Sequence, residues 1–214
     1  ATLGIIGARG FTGAELLRLL NNHSSFELAA ISSRQLAGER LNDHVEGVDF
    51  GDLRFEELSP EQTAEKKRYA YVLALPNNVG KPFVDAIDAI NPDALIVDLS
   101  ADHRFDVSWQ YGFPERFRDA IANSRRIANP GCYATAMQAS LWPLLGQLAA
   151  DPHVFGVSGY SGAGTTPSPK NDPEVLRDNL LPYTLTDHLH EREVRHQLQR
   201  GLFFMPHVAA FFRG

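Results

Sequence analysis

The architecture of this protein is set by its first residues, Thr2-Leu3-Gly4-Ile5-Ile6-Gly7-Ala8-Arg9-Gly10-Phe11-Thr12-Gly13, an apolar run that leads into regularly spaced glycines. Thr2–Ile6 is typical of a buried strand, and the leucines of Thr12–Asn21 recur at helical spacing. Glycines at such a junction permit a tight turn, close approach of the backbone to a pyrophosphate, and close packing of strand and helix. The helix N-terminus also presents backbone amides to phosphate oxygens.

This junction therefore predicts a dinucleotide-binding turn. Its spacing, G-x-x-G-x-x-G, is a variant of the usual fingerprint, so an ordinary glycine-rich turn is the alternative. The candidate cofactor contacts in the turn are Gly7, Arg9, Gly10, Phe11, Thr12 and Gly13. Leu75 and Pro76, where a later apolar run passes into a loop, are further candidates.

Strand-like and helix-like runs alternate along the chain, which predicts a parallel sheet with crossover helices. The predicted strands are Thr2–Ile6, Glu27–Ile31, Tyr69–Leu75, Ala94–Leu99 and Arg126–Ala128, and the predicted helices are Thr12–Asn21, Lys81–Ile90 and Ala134–Leu148. After Asp151-Pro152 come a strand at Val154–Tyr160, a long loop at Gly159–Asn171, a polar helix at Leu185–Gln199 and a strand at Leu202–Met205. We expect an α/β fold, with a Rossmann-type nucleotide domain in residues 1–150 and an α+β domain in residues 151–214.

The composition excludes several classes of protein. The 214 residues are 43% hydrophobic and 21% charged, as in an ordinary globular chain and unlike a disordered one. Twenty basic and 26 acidic side chains give a net charge of −6, which disfavours nucleic acid or an anionic membrane as the main partner. The single cysteine, Cys132, excludes a disulfide scaffold and favours a reducing compartment.

The end of the second predicted strand indicates which cofactor is used. NAD sites place an acidic residue there to hold the ribose 2′-hydroxyl, but this strand ends Ile31-Ser32-Ser33-Arg34. Hydroxyls and a guanidinium suit a 2′-phosphate, so Ser33 and Arg34 favour NADP(H) over NAD(H). The alternative is that Arg34 is a solvated loop residue.

Cys132 lies in Asn129-Pro130-Gly131-Cys132-Tyr133, where a predicted strand turns into a helix. The dipole and amides of a helix N-terminus stabilise a thiolate, which makes Cys132 a candidate nucleophile. The alternative is a buried structural cysteine. A nucleophilic cysteine needs an acid–base partner, and His190 is a candidate, with Glu193 one helical turn away to orient it or to bind substrate. The alternative for any of these histidines is a surface or capping role.

Other interpretations of the histidines stay open. Thr186 or Asp187 is the expected helix N-cap, and His207 is a second candidate acid–base residue. His188-x-His190 without an H-E-x-x-H pattern is a weak metal signal, so no metal is expected. The segment Gly156–Gly164 is either a flexible loop or a place where backbone approaches a flat ring or a reacting acyl group.

The chain carries six motifs that together are highly specific: Gly7–Gly13, Leu99-Ser100-Ala101-Asp102, Asn129–Tyr133, Val157–Gly164, His188–Glu193 and Pro206-His207. Over nearly its whole length it resembles the N-acetyl-gamma-glutamyl-phosphate reductases of arginine biosynthesis, in the branch found in fungi and some bacteria. The resemblance implies NADPH-dependent reduction of N-acetyl-glutamyl 5-phosphate to the 5-semialdehyde, with release of phosphate, through a thioester on Cys132 and with His190 as general acid–base.

The resemblance also implies the surroundings of the reaction. Substrate contacts are expected from Ser100, Arg104, Asn129 and Glu193, with Arg104 as a phosphate ligand, and nicotinamide contacts from Ser161 and Gly162. Members of the family continue for roughly another hundred residues, a domain-sized piece. We therefore expect a chain shortened at its C-terminus, an incomplete substrate and dimerisation domain, and a homo-oligomer at full length. The compartment would be the cytoplasm in a bacterium or the mitochondrial matrix in a fungus.

Three alternatives remain at this point. An aspartate-semialdehyde dehydrogenase performs the same chemistry on a shorter acyl phosphate. A Cys-His acyl hydrolase or transferase would need no nucleotide. A nucleotide-binding redox sensor would use Cys132 as a switch.

Overall fold

The structure, a computed structural model, describes residues 1–213 and divides into two compact units, Ala1–Asn129 and the chain from Pro130 onward. This division lies about twenty residues before the expected boundary near 150. The reason is the helix that follows Pro130, whose Ala134 and Met137 pack against Val194 and Leu198 in the second unit.

The first unit is a six-stranded parallel sheet with helices. Its strands are β1 (Thr2–Ile6), β2 (Glu27–Ser32), β3 (Ala70–Leu73), β4 (Leu95–Asp98), β5 (Gln110–Tyr111) and β6 (Arg126–Ala128). Its helices are α1 (Phe11–Leu20), α2 (Pro60–Glu65), α3 (Lys81–Ile90) and α4 (Pro114–Ala122). The strand order β2-β1-β3-β4-β6-β5 reverses direction between β1 and β3. Ligands of such sheets bind at this point, outside the carboxyl ends of the strands.

Apolar side chains cover both faces of this sheet. One cluster includes Ile5, Leu17 and Ile31, and a second cluster includes Ile6, Leu73 and Ile87. All four residues of β3 are buried, which is why this run reads as continuously apolar rather than alternating. The expected Rossmann-type α/β fold is confirmed.

The second unit contains a three-stranded sheet with helices. Its elements are α5 (Cys132–Leu141), β7 (His153–Gly159), α6 (Pro173–Leu176), β8 (Leu180–Pro182), α7 (Leu189–Leu198) and β9 (Phe203–Ala209). β9 is central, parallel to β7 and antiparallel to β8. Side chains of α5 and α7 form one core with Phe204 of β9.

Several element boundaries differ from the sequence-based ones. The helix expected over Ala134–Leu148 begins at Cys132 and ends at Leu141, and the chain continues as a 3-10 helix over Trp142–Gln147. Pro143 explains the change, because it lacks an amide hydrogen and fixes φ. The polar helix begins at Leu189 rather than at Leu185. Within residues 1–213, no helix combines the length and apolar character needed to cross a membrane.

Candidate active site

The glycine turn after β1 has the shape that a pyrophosphate requires. Gly7 has φ +88°, and a Cβ there would lie 2.6 Å from the carbonyl oxygen of Ala74; a Cβ on Gly13 would lie 2.3 Å from that of Ala8. Gly10, the N-cap of α1, has open space where its Cβ would be. Close packing therefore requires two of the glycines, and the third leaves an open approach to the start of the helix, which fits a bound dinucleotide.

The other candidate cofactor residues differ in their burial and in their distance from the glycine turn. The Leu75 side chain lies 2.7 Å from the position of a Cβ on Gly7, so it borders the turn, and Arg9 hydrogen-bonds to Gln35. Ser33 is buried and its amide donates to the carbonyl oxygen of Glu56. Arg34 is 87% exposed at its side chain and forms an ion pair of 3.3 Å with Glu57.

Three of the candidate substrate residues meet where β4 and β6 end. Ser100 donates its hydroxyl to Asp98 at 2.7 Å. Arg104 is buried, and its guanidinium donates to the carbonyl oxygens of Asn129 at 2.9 Å and Leu99 at 3.2 Å. These hydrogen bonds tie the two strand ends together, so Arg104 supports the backbone here. Its role toward phosphate stays a prediction.

Cys132 is the first residue of α5 and is exposed. Gly131, the N-cap, donates its amide hydrogen to Oε1 of the fully buried Glu193, at 3.0 Å. A side chain of α7 thus fixes the residue before the thiol. The sequence had suggested Glu193 as a partner of His190 or of substrate; its amide-binding role could not be read from spacing.

His188, rather than Thr186 or Asp187, is the N-cap of α7, so that expectation was wrong. Its Nδ1 accepts the backbone amide hydrogen of His190 at 3.0 Å. The accepting nitrogen carries no proton, which fits a neutral ring. Burial, chiefly, and the nearby charge of Lys170 lower the pKa of His188, while Glu191 acts in the opposite direction.

A cavity of about 230 Å³ brings the thiol and the histidines together. Its lining includes Cys132, Gly162, Lys170, Tyr183, His188 and His190. Ser161 belongs to the same 3-10 turn as Gly162, Tyr160–Ala163, and donates its amide hydrogen to the carbonyl oxygen of Phe212. A second cavity, of about 500 Å³, reaches Cys132 from the side of β7.

Two tyrosines that the sequence analysis missed border the thiol. Tyr183 hydrogen-bonds to Tyr133, whose hydroxyl donates to the carbonyl oxygen of His207 at 2.6 Å. Burial is the main cause of the raised pKa of both phenols, and the Cys132 charge adds to it. Both phenols are therefore protonated at neutral pH. In the sequence, only the position of Tyr133 directly after Cys132 could have indicated that a tyrosine borders the thiol.

Contacts of the second sheet show where His207 and Gly156 lie. The His207 ring packs against Phe155, with centroids 4.3 Å apart, and does not line the smaller cavity. A Cβ on Gly156 would lie 2.6 Å from the Tyr133 ring and 2.7 Å from the Phe204 ring. At Gly156 the flat rings that the backbone approaches are thus those of Tyr133 and Phe204. Residues 1–213 contain no group of three or more metal-binding side chains that could hold a metal ion.

Two family models match the chain. "Semialdehyde dehydrogenase, NAD binding domain" covers residues 2–124, and "Semialdehyde dehydrogenase, dimerisation domain" covers residues 132–214. The gap between these matches contains the division at Asn129 and Pro130.

Bacterial proteins named N-acetyl-gamma-glutamyl-phosphate reductase are similar along the whole chain. One from Xanthomonas campestris is 57% identical over 213 residues, which is all of this chain and 67% of that protein. One from Stenotrophomonas maltophilia is 56% identical with the same coverage. One from Xylella fastidiosa is 57% identical, with 65% of that protein covered. The chain thus spans about two thirds of the length of these relatives.

Solved structures of aspartate semialdehyde dehydrogenases share the fold. Aspartate semialdehyde dehydrogenase II from Vibrio cholerae superimposes with a TM-score of 0.76 at 15% identity, covering 99% of this chain and 70% of that one. The enzyme from Candida albicans, solved with NADP, gives a TM-score of 0.69 at 15% identity, covering 99% and 68%.

Proposed function

The chain belongs to the semialdehyde dehydrogenase family and, within it, to the N-acetyl-gamma-glutamyl-phosphate reductases, and from this premise we propose that it reduces N-acetyl-glutamyl 5-phosphate to the 5-semialdehyde. The observation that carries the proposal is the exposed Cys132 thiol at the start of α5, in one cavity with His190. A buried structural cysteine would not be exposed.

The reaction begins with attack of the Cys132 thiolate on the acyl carbon of the substrate. The carbon–oxygen bond to phosphate breaks, phosphate leaves with the bonding electrons, and a thioester remains on Cys132. NADPH, when bound, supplies the hydride that reduces this thioester to a hemithioacetal. The carbon–sulfur bond then breaks, returning the thiolate and releasing the aldehyde.

His190 is the general acid–base residue in this scheme. It protonates the hemithioacetal oxygen as the hydride arrives and takes that proton back as the carbonyl forms again. Glu193 keeps Gly131 and therefore the start of α5 in place, so that the backbone amides there face the developing oxyanion.

The first unit is a nicotinamide-dinucleotide-binding domain of its family, and NADP(H) is the form we favour. Ser33 and Arg34 follow β2, where an NAD site would place a carboxylate. Arg34 is solvent-exposed and pairs with Glu57 at the surface, so its guanidinium can turn to a 2′-phosphate at little cost.

We propose self-association through the outer face of the second sheet, with a second copy as partner. Phe155, Val157, Phe203 and Met205 are all exposed on that face. The model that matches this part of the chain is that of a dimerisation domain. Light scattering after Phe155→Asp should show a smaller oligomer than the wild type; an unchanged mass would argue against this face.

The bacterial origin of the relatives favours the cytoplasm over the mitochondrial matrix.

The deciding experiment is phosphate-dependent oxidation of N-acetyl-glutamate 5-semialdehyde with NADP, on wild type and Cys132→Ser. We expect activity in the wild type and a loss of at least about 10³-fold in the variant, with NADPH binding kept, because the nucleophile is removed and the nucleotide turn is intact. Aspartate semialdehyde as the better substrate would favour the aspartate-semialdehyde dehydrogenase alternative. Full activity of Cys132→Ser would exclude the thioester.

A further inference from the structure

Lys170 is the cationic side chain that lines the smaller cavity beside Cys132. It is half-buried, and its Nζ lies 5.1 Å from the centroid of the Tyr183 ring. An ammonium over the face of an aromatic ring is held there by the ring quadrupole. The side chain is therefore directed into the cavity wall.

The backbone that carries Lys170 is fixed by its own hydrogen bonds. Lys170 is the middle residue of the 3-10 turn Pro169–Asn171. The Asn171 side chain accepts the amide hydrogen of Ser168 at 2.8 Å and donates to the carbonyl oxygens of Gly164 at 2.8 Å and Thr166 at 2.7 Å. The lysine is thus attached to a built turn that reaches back to the glycine segment.

The described part of the chain, residues 1–213, supplies no carboxylate that neutralises the charge of Lys170. Its ammonium instead contacts the face of the Tyr183 ring. Its field reaches the neighbouring histidine, since it helps to lower the pKa of His188. A cation left without a counter-charge beside a nucleophilic sulfur is complementary to an anionic group of the molecule that the sulfur attacks.

We infer that Lys170 binds an oxyanion of the substrate, either the phosphate or the carboxylate of the acyl phosphate, in the cavity beside Cys132. This inference rests on the proposed function for the identity of the substrate. The charge in the cavity can be probed without the substrate. Cys132 is the only thiol of the chain, so a thiol reagent reacts there alone.

The first test compares alkylation of Cys132 by iodoacetate, an anion, with alkylation by neutral iodoacetamide. The ratio of the two rate constants cancels the intrinsic reactivity of the sulfur and reports the charge around it. We expect Lys170→Met to lower this ratio at least about threefold, since one nearby cation is lost. Lys170→Arg should keep it, and Lys67→Met, the same charge change at an exposed position of the first unit, should leave it unchanged.

An unchanged ratio in Lys170→Met would overturn the inference. Far-UV circular dichroism checks that Lys170→Met is folded. Lys170→Gln, a second variant that removes the charge, should lower the ratio in the same way. The second test identifies the anion from steady-state oxidation of the semialdehyde. A raised KM for inorganic phosphate in Lys170→Met assigns the phosphate, and a raised KM for the semialdehyde assigns the carboxylate. If both KM values stay at the wild-type level, the inference is contradicted. Should the wild type lack this activity, the proposed function fails, while the alkylation ratio still decides the role of Lys170.

Discussion

The carboxylate of Glu193 accepts the amide hydrogen of Gly131 at 3.0 Å, so a buried side chain of α7 holds the backbone immediately before Cys132. This bond joins residues 62 positions apart and couples the start of α5 to α7. The position of the thiol therefore depends on how these two helices pack.

Glu193→Ala should destabilise the protein and displace the thiol. The change leaves a buried amide without its acceptor, at a cost of about 1–3 kcal/mol in the free energy of unfolding. Glu193→Gln keeps an acceptor oxygen and should recover most of that stability. Urea unfolding of both variants checks the prediction, and equal stabilities for alanine and glutamine would contradict it.

His188 should make stability depend on pH. Burial holds its pKa below the ordinary 6.5, so the unfolded chain takes up a proton that the folded chain does not. Its contribution to stability is then present above pH 6.5 and is lost as the pH falls through the folded pKa. His188→Asn keeps a cap acceptor and removes the titration. Urea unfolding between pH 7.5 and 5.5 should show a smaller loss of stability in the variant; parallel curves would rule out this role.

Much of the fold was predictable from local patterns. The bounds of β1, α3 and β6 match the predicted ones, because each is an apolar or amphipathic run closed by loop residues. α2 was missed although Ser59 and Gln62 form a capping box, a signal that the sequence carries. β5 is only two residues long, too short for any periodicity.

The site was less predictable, because its geometry depends on contacts between distant residues. The position of Cys132 at a helix start follows from Pro130 and Gly131. The contact of Glu193 with Gly131 does not follow from spacing, nor does the position of Lys170 beside the thiol, since both depend on the packing of the second unit. His188 was overlooked as a cap because histidine is not among the preferred N-cap residues.

Substitutions at two glycines of the nucleotide turn should have different effects, one on NADPH binding and the other on stability. Gly10→Ala meets no atom within 4 Å and has φ −81°, so we expect its melting temperature to stay near that of the wild type. Its methyl group should still weaken NADPH binding at least about tenfold, because the pyrophosphate approaches there. Gly7→Ala, at φ +88° and 2.6 Å from a carbonyl oxygen, should instead lower stability. Calorimetry and NADPH titration distinguish the two; wild-type affinity in Gly10→Ala would place the pyrophosphate elsewhere.

Arg34 should set the preference for NADPH over NADH. A charge-assisted hydrogen bond to the 2′-phosphate contributes about 1.5–3 kcal/mol, so Arg34→Ala should lower kcat/KM for NADPH by about 10- to 100-fold. The value for NADH, which lacks that phosphate, should change little, because Arg34 otherwise forms only a surface ion pair with Glu57. Glu57→Gln is the matched control: it frees the guanidinium and should leave or strengthen the preference for NADPH. Equal losses with both cofactors in Arg34→Ala would mean that the arginine supports the loop rather than reading the phosphate.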